Sequence, residues 1–182
     1  DYSHPCQALA DILTIQEEFG NLEGRHVVFV GDANNVSRSL AIVCGKLGVR
    51  FTLACPEAYQ FCEQEKKEIE AGCEGFRFAQ ITNAVQAVAD ADAIYTDVWA
   101  SMGQEKEQKQ REQDFAAFQV NQTLMQAAPE SAIFLHCLPA KRGQEVTDKI
   151  MDGSQSRVVP QAGNRMHAQK GLLVWLLADR SA

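Results

Sequence analysis

An acidic side chain and a thiol stand at the ends of two predicted strands, where the carboxylate could hold a cationic amine. Asp97 ends one strand and Ser101 follows four residues later. The Asp97 carboxylate could bind a cationic amine, or it could be an ordinary turn residue that caps the next loop. Cys137 lies in HCLP at 136–139, where its thiol could be a nucleophile, a ligand or, most typically, a packing group. Proline restricts Leu138 to extended backbone, which could point a carbonyl toward a ligand.

Amide and basic side chains are predicted at three helix entrances. Asn34 and Asn35 stand side by side, and since one of them suffices to cap a helix, the other is free to face a ligand. His4 and Gln7 lie just ahead of the first helix, where both could donate to an oxygen. Arg165 is predicted to begin the last helix, where a surface position would be ordinary. A cation opposes the helix dipole there, which favours a bidentate grip on a phosphate or carboxylate.

The elements that must position these side chains form a repeating pattern of strand and helix. The predicted strands span residues 26–30, 50–54, 76–80, 93–97, 132–136 and 157–161. The predicted helices span residues 7–19, 36–47, 57–71, 83–89, 121–128 and 167–178. Most strand runs are continuously apolar, which predicts an α/β fold: a doubly wound, mainly parallel sheet with helices on both faces. Ligands of such sheets bind beyond the carboxyl ends of the strands.

Two segments outside this core also carry information. Residues 172–177 of the closing helix are apolar nearly all round, which predicts burial on more than one side, against this sheet or a neighbouring domain. Residues 104–114 are crowded with Gln, Glu, Lys and Arg, which fits either a solvated helix or a mobile flap beside a site.

The first strand is not followed by a dinucleotide fingerprint. GDANNV at 31–36 resembles the turn of a nucleotide-binding unit but lacks the second and third glycines of the GxGxxG motif. Ala54, Cys55 and Pro56 stand at the end of the second strand, where such enzymes place an acidic residue. The topology is therefore predicted to be Rossmann-like without a dinucleotide, and a nucleotide-dependent dehydrogenase is disfavoured.

Composition narrows the possible partners and compartment. The 182 residues, 46% of them hydrophobic, are enough for one domain with a proper core. A net charge of −7 argues against nucleic acid and against an anionic membrane surface. The six cysteines show no CxxC pair or metal-finger spacing, so they predict free thiols in a reducing compartment. No apolar run is long enough to span a bilayer, and a cytoplasmic domain is expected.

Five motifs, in this order, closely resemble those of the ornithine carbamoyltransferases. They are HPCQALAD at 4–11, GDANN at 31–35, DVWASMG at 97–103, HCLP at 136–139 and NRMHAQK at 164–170. Members of this family transfer the carbamoyl group of carbamoyl phosphate to the δ-amine of ornithine, giving citrulline and phosphate. They need no metal or redox cofactor, so none is expected here.

The resemblance also implies how the chain is organised. Residues 1–182 look like the second, ornithine-binding domain of a two-domain enzyme. The family's Ser-Thr-Arg-Thr phosphate-binding signature does not occur in the chain and would belong to an amino-terminal carbamoyl phosphate domain. This chain alone is therefore expected to be inactive, and the full-length protein is expected to be a homotrimer or larger.

Each site residue takes its role from the resemblance. The residues implied in ornithine binding are Asn35, Asp97, Ser101 and Met102. Those implied in carbamoyl phosphate binding are His4, Gln7, Cys137, Leu138 and Arg165. Asp97, Cys137 and His4 would lie closest to the chemistry, with Asp97 and Cys137 orienting the amine.

Two alternatives remain open at this point. One is a carbamoyltransferase that acts on aspartate, putrescine or an acylated ornithine, against which the motif at 97–103 argues. The other is a non-catalytic binding homologue, which the gene sequence upstream of this chain would distinguish.

Overall fold

A five-stranded parallel sheet forms the centre of the computed structural model, which describes residues 2–73, 75–100 and 105–178. The strands are β1 (His26–Val30), β2 (Arg50–Ala54), β3 (Phe78–Ile81), β4 (Ala93–Thr96) and β5 (Ile133–His136). Their order is β3-β2-β1-β4-β5, so the chain winds outward from β1 in one direction and then returns to add β4 and β5 on its other side. This arrangement confirms the predicted doubly wound α/β class.

Helices connect and cover these strands. They are α1 (Pro5–Phe19), α2 (Asn35–Lys46), α3 (Glu63–Glu70), α4 (Ala84–Val88), α5 (Gln108–Asp114), α6 (Gln122–Gln126), α7 (Asp148–Met151) and α8 (Val158–Leu177). The first helix begins at Pro5, whose missing N–H costs nothing at that position, and ends at Gly20 with a φ of 76°. Every residue of β1, β4 and β5 is buried, as expected for a parallel sheet with both faces covered.

The predicted sixth strand, 157–161, was wrong, because these residues form the start of α8. Val158 and Val159 favour strands, but in the first turn of a helix their cost is small, and Pro160 there has no N–H to leave unpaired. Arg165 consequently lies about two turns inside α8 rather than at a helix entrance. The predicted helix at 57–71 is also divided, into a single turn at Glu57–Tyr59 and α3.

The two ends of α8 have different surroundings. Its first half packs on α1, where Gln161 and Asn164 are buried and Arg157 forms an ion pair with Glu18. Its last turns are exposed, with Val174 at 67%. The described residues alone therefore do not bury this end of the helix on more than one side, and its burial against a neighbouring domain stays a prediction.

Two further expectations concern thiols and membranes. All six cysteines are free. Among the described residues, no helix combines the length and the apolar character that a membrane span requires.

Candidate active site

A cavity of about 770 Å³ opens at the carboxyl ends of β1, β4 and β5, where the strand order changes direction. The candidate residues that line it are His4, Asn35, Asp97, Cys137 and Leu138. Asn35, Asp97, Cys137 and Leu138 follow strands that end at one edge of the sheet, whereas His4 precedes α1 and its amide donates to Ser39 of α2 at 2.7 Å. Ser101 and Met102, the other two residues expected to bind ornithine, lie outside the described residues.

Asp97 is the charged centre of this cavity. It follows β4 directly and is only 8% exposed. One carboxylate oxygen accepts hydrogen bonds from the Val98 amide at 2.8 Å and the Cys137 thiol at 3.1 Å. The other accepts from Nδ2 of Asn34 at 2.9 Å. These contacts hold a buried carboxylate in one orientation at the wall of the cavity.

Asn34 and Asn35 have different roles, as the sequence predicted. Asn34 caps α2, because its Oδ1 accepts hydrogen bonds from the amides of Val36 and Ser37 at 3.0 Å each. Its Nδ2 at the same time supports Asp97. Asn35 lines the cavity, and its side chain has no hydrogen-bond partner among the described residues. Asn35 is therefore the one that can face a ligand.

Cys137 is held as a neutral thiol. Burial and then the negative charge of Asp97 raise the pKa of the Cys137 thiol well above its usual range. Its S–H group donates a hydrogen bond to the Asp97 carboxylate, which favours the protonated thiol. Since the thiolate is the nucleophilic form of cysteine, a nucleophilic role for Cys137 is disfavoured. A neutral hydrogen-bond donor that orients Asp97 fits the geometry better.

This protonation state predicts slow alkylation of Cys137. In a short pulse of iodoacetamide at pH 8, the exposed Cys62 is expected to be modified at least about tenfold faster, because reaction requires an accessible thiolate. Mass spectrometry of tryptic peptides gives both rates in the same sample. Modification of Cys137 ahead of Cys62 would mean that its thiol is activated.

A buried histidine shapes the turn beside Cys137. Leu138 has a φ of 60°, not the extended backbone expected before proline, because its amide turns back to donate to Nδ1 of His136 at 2.8 Å. This leaves the ring proton on Nε2, which faces Oε1 of the fully buried Glu145 at 3.3 Å. A leucine with positive φ persists only where its surroundings hold it. His136 and Glu145 thus position the cavity wall, and sequence reasoning assigned a role to neither.

Asp97, His136 and Cys137 also form a group that could hold a metal ion, since one ligand atom from each lies within 4.8 Å of the others. Both ring nitrogens of His136 already have partners, in the Leu138 amide and Glu145. The Cys137 thiol donates a hydrogen bond to Asp97 as well. Hydrogen bonding therefore accounts for the arrangement without a metal.

Of the amino-terminal motif, His4 lies in the cavity lining and Gln7 lies behind it. His4 lines the cavity, and burial followed by the charge of Arg165 lowers the pKa of its ring below the usual value. Gln7 is 1% exposed and lies outside the lining, as does Arg165. The Gln7 amide donates to Asp11 at 2.8 Å and accepts from Nη1 of Arg165 at 2.7 Å. Gln7 and Arg165 are thus placed behind His4 and are not brought to the cavity surface.

Asp11 is fully buried and holds the side chain of Gln7 through a hydrogen bond. One of its oxygens accepts from the side-chain amides of Gln7 at 2.8 Å and Gln161 at 2.6 Å, and the other has no partner among the described residues. Burial raises the pKa of Asp11 to about 7, although the hydrogen bonds from Gln7 and Gln161 oppose the rise. A pKa that is higher in the folded than in the unfolded chain means that folding favours the protonated carboxyl.

The free energy of unfolding is therefore expected to fall as pH rises through about 7. The contribution of protonated Asp11 is complete below about pH 4 and is lost as pH passes about 7. Between pH 5 and 8 the loss amounts to about 2 to 3 kcal/mol. Urea unfolding of Asp11→Asn, whose side chain cannot ionise, should lack this part of the pH dependence. Identical pH profiles for the two proteins would contradict the assignment.

The polar segment predicted at 104–114, described from residue 105 onward, is held at the edge of the cavity by Arg111 and is not simply exposed to solvent. The side chain of Arg111 in α5 is buried, forms an ion pair with Asp32 and donates to the carbonyl of Trp99 at 3.0 Å. Its guanidinium carbon also lies over the ring of Tyr59, 4.9 Å from the ring centroid. Because Asp32 closely follows β1, Arg111 ties α5 to the cavity edge, where Gln108 contributes to the lining.

Known proteins resemble this chain in both sequence and fold. A family model described as the Asp/Orn binding domain of aspartate/ornithine carbamoyltransferase matches residues 23–176. An ornithine carbamoyltransferase of Anoxybacillus flavithermus is 49% identical over 179 residues, which are 97% of this chain and 57% of that protein. The structure of the enzyme from Pyrococcus furiosus superposes with a TM-score of 0.90 at 50% identity, covering 96% of this chain and 56% of the other.

A more distant relative shares the same fold. The structure of an N-acetyl-L-ornithine transcarbamylase mutant has a TM-score of 0.82 at 29% identity, covering 97% of this chain and 57% of the other. In all three comparisons the chain spans little more than half the length of its relative. Over that span, the family model, the sequence identity and the superposition agree. The chain therefore belongs to the aspartate/ornithine carbamoyltransferase family.

Proposed function

We propose that the protein containing this chain transfers the carbamoyl group of carbamoyl phosphate to the δ-amine of L-ornithine, giving citrulline and phosphate. The observation that carries this proposal is the convergence of Asp97, Asn35, Cys137 and His4 on one cavity. Relatives named ornithine carbamoyltransferase, about half identical to this chain, support it.

The reaction sets clear demands on such a cavity. The lone pair of an uncharged δ-amine attacks the carbonyl carbon, a C–N bond forms, and the C–O bond to phosphate breaks. The nitrogen loses a proton, and phosphate leaves with the bonding electron pair. A site for this step must orient the amine, stabilise the tetrahedral oxyanion and hold both substrates in register.

The described residues meet these demands in different ways. Asp97 offers a buried carboxylate that can accept hydrogen bonds from an ammonium or amine, and Asn35 offers amide donors for a carboxylate. Cys137 keeps Asp97 in place, while neutral His4 can donate a hydrogen bond to the carbamoyl oxygen. Ser101 and Met102 keep their proposed role in ornithine binding. Arg165 lies outside the cavity lining, so its proposed role toward carbamoyl phosphate belongs to the part of the site that a second domain would complete, and the buried Gln7 would act there through its hydrogen bond with Arg165.

The proposal includes the organisation of the whole protein. Residues 1–182 act as the ornithine-binding domain, and a second domain supplies the rest of the carbamoyl phosphate site. The exposed side chains of Leu173, Val174 and Leu177 support this, because a domain packed on them would remove apolar surface from water. A homotrimer in the cytoplasm completes the proposal and rests on the family resemblance.

Acceptor preference tests the function directly. The full-length protein is assayed with carbamoyl phosphate and, in turn, ornithine, aspartate, putrescine and N-acetylornithine, with products identified by mass spectrometry. Ornithine is expected to exceed the others in kcat/KM by at least about a hundredfold. The fold shared with an N-acetyl-L-ornithine transcarbamylase makes the acylated amine the main alternative. A preference for another amine would change the substrate, and no product with any amine would indicate a non-catalytic homologue.

A further inference from the structure

Arg38 is a buried cation in the cavity wall that the proposed chemistry does not yet use. It lies in α2, lines the cavity and is only 7% exposed. Its Nη2 donates to Glu68 at 2.7 Å, and its guanidinium stacks on the ring of Tyr2 at 4.1 Å. Nη1 is buried and has no hydrogen-bond partner among the described residues. Buried polar atoms without partners are rare in native proteins, so this one requires an explanation.

The position of Arg38 relative to Asn35 offers an explanation for this unpartnered nitrogen. Residues three apart on a helix lie on the same face, and both of these side chains line the cavity. They stand at the amino-terminal end of α2, where the helix dipole favours an anion. Asp97 provides negative charge in the same cavity. The lining therefore offers both a cationic group and an acidic one, as a zwitterionic ligand requires.

The neighbours of Arg38 leave its buried Nη1 without a hydrogen-bond partner among the described residues. Glu68 occupies Nη2, and Tyr2 covers one face of the guanidinium. The Tyr2 hydroxyl donates to the same Glu68 oxygen at 2.6 Å, which fixes the group from outside. Glu65 also lines the cavity, so a ligand there meets a carboxylate beside the cation. A bound anion would satisfy the remaining nitrogen, because a guanidinium presents several donors in a fixed plane.

We propose that Arg38 binds the α-carboxylate of the amino-acid substrate and thereby selects amino acids over amines that lack a carboxylate. This inference rests on the proposed function and deepens it by naming a specificity residue. It assigns the carboxylate to Arg38 and Asn35, and an ammonium group to Asp97.

The test compares Arg38→Met with Arg25→Met in the full-length protein. Arg25 is a matched control, because it also stacks on an aromatic ring, Phe19 at 4.5 Å, and pairs with a carboxylate, Asp92 at 2.8 Å, but does not line the cavity. Arg38→Met is expected to raise the KM for ornithine at least about tenfold and to change kcat by less than about twofold. Calorimetry with L-norvaline, which is ornithine without the δ-amine, should show the same loss of affinity in the presence of carbamoyl phosphate.

Each outcome decides between clear alternatives. Unchanged norvaline affinity in Arg38→Met, or an equal loss in Arg25→Met, overturns the inference while wild-type citrulline synthesis stands. Absence of citrulline from the wild type refutes the proposed function instead. If Arg38→Met does not fold, Glu68→Gln replaces it, because Glu68 is the exposed partner whose charge competes for the guanidinium. Tighter norvaline binding in that variant supports the inference, and unchanged or weaker binding contradicts it.

Discussion

Replacing Asp97 by Asn in the full-length protein is expected to lower kcat/KM for ornithine at least about tenfold. An ammonium bound to a carboxylate becomes one bound to a neutral amide, a loss of about 1.5 to 3 kcal/mol. The substitution also leaves one acceptor oxygen where Asn34, Val98 and Cys137 now donate to two. Steady-state kinetics gives the ratio, with circular dichroism to verify folding.

A control aspartate separates this effect from a general loss of charge. Asp92 accepts hydrogen bonds from Arg25 and from the amide of His26, and it does not line the cavity. Asp92→Asn should therefore leave kcat/KM close to that of the wild type. A folded Asp97→Asn protein with near-native use of ornithine would show that Asp97 is only a turn residue.

Replacing Arg165 by Ala is expected to weaken carbamoyl phosphate binding roughly tenfold to a hundredfold. Charge-assisted hydrogen bonds of about 1.5 to 3 kcal/mol disappear, and Gln7 loses the partner that orients its amide. Titration calorimetry on the full-length protein measures the dissociation constant. Arg157→Ala is the matched control, because Arg157 precedes the same helix but pairs with Glu18. Equal affinities for Arg165→Ala and the wild type would make Arg165 purely structural.

The sheet and its ligand edge were predictable from the sequence because both follow from local patterns. Short β-rich runs, most of them continuously apolar, identified all five strands and one false strand at 157–161, and alternation with helices implied parallel pairing. Asp97 and Cys137 follow neighbouring parallel strands, so their proximity could be expected from the strand pattern alone. The capping asparagine was predictable for the same reason, since capping depends on a few adjacent residues.

The arrangement behind His4 could not be predicted from local patterns. Gln7 and Arg165 meet across 158 positions of sequence, and only the packing of α1 on α8 brings them together. The apparent strand at 157–161 also concealed the true start of α8 and so misplaced Arg165. Asp11 gave no signal of its own, because a lone aspartate within a helix most often faces solvent.

Residues that act through the backbone were equally hidden. Leu138 turns into positive φ because His136 accepts its amide, and Glu145 supports that ring from nine residues away. Arg38 did leave a signal, since a cation follows Asn35 on what becomes the cavity face of α2. Recognising that signal required knowing which face of the helix is buried.

The most direct test of the central claim is a crystal structure of the full-length protein with carbamoyl phosphate and L-norvaline. The norvaline ammonium is expected within hydrogen-bond distance of the Asp97 carboxylate, and its carboxylate against Asn35. Its side chain should point toward carbamoyl phosphate, which should lie beside His4 and Cys137. Norvaline bound outside this cavity, or bound in it without contact to Asp97, would contradict the assignment of this chain as the ornithine-binding domain.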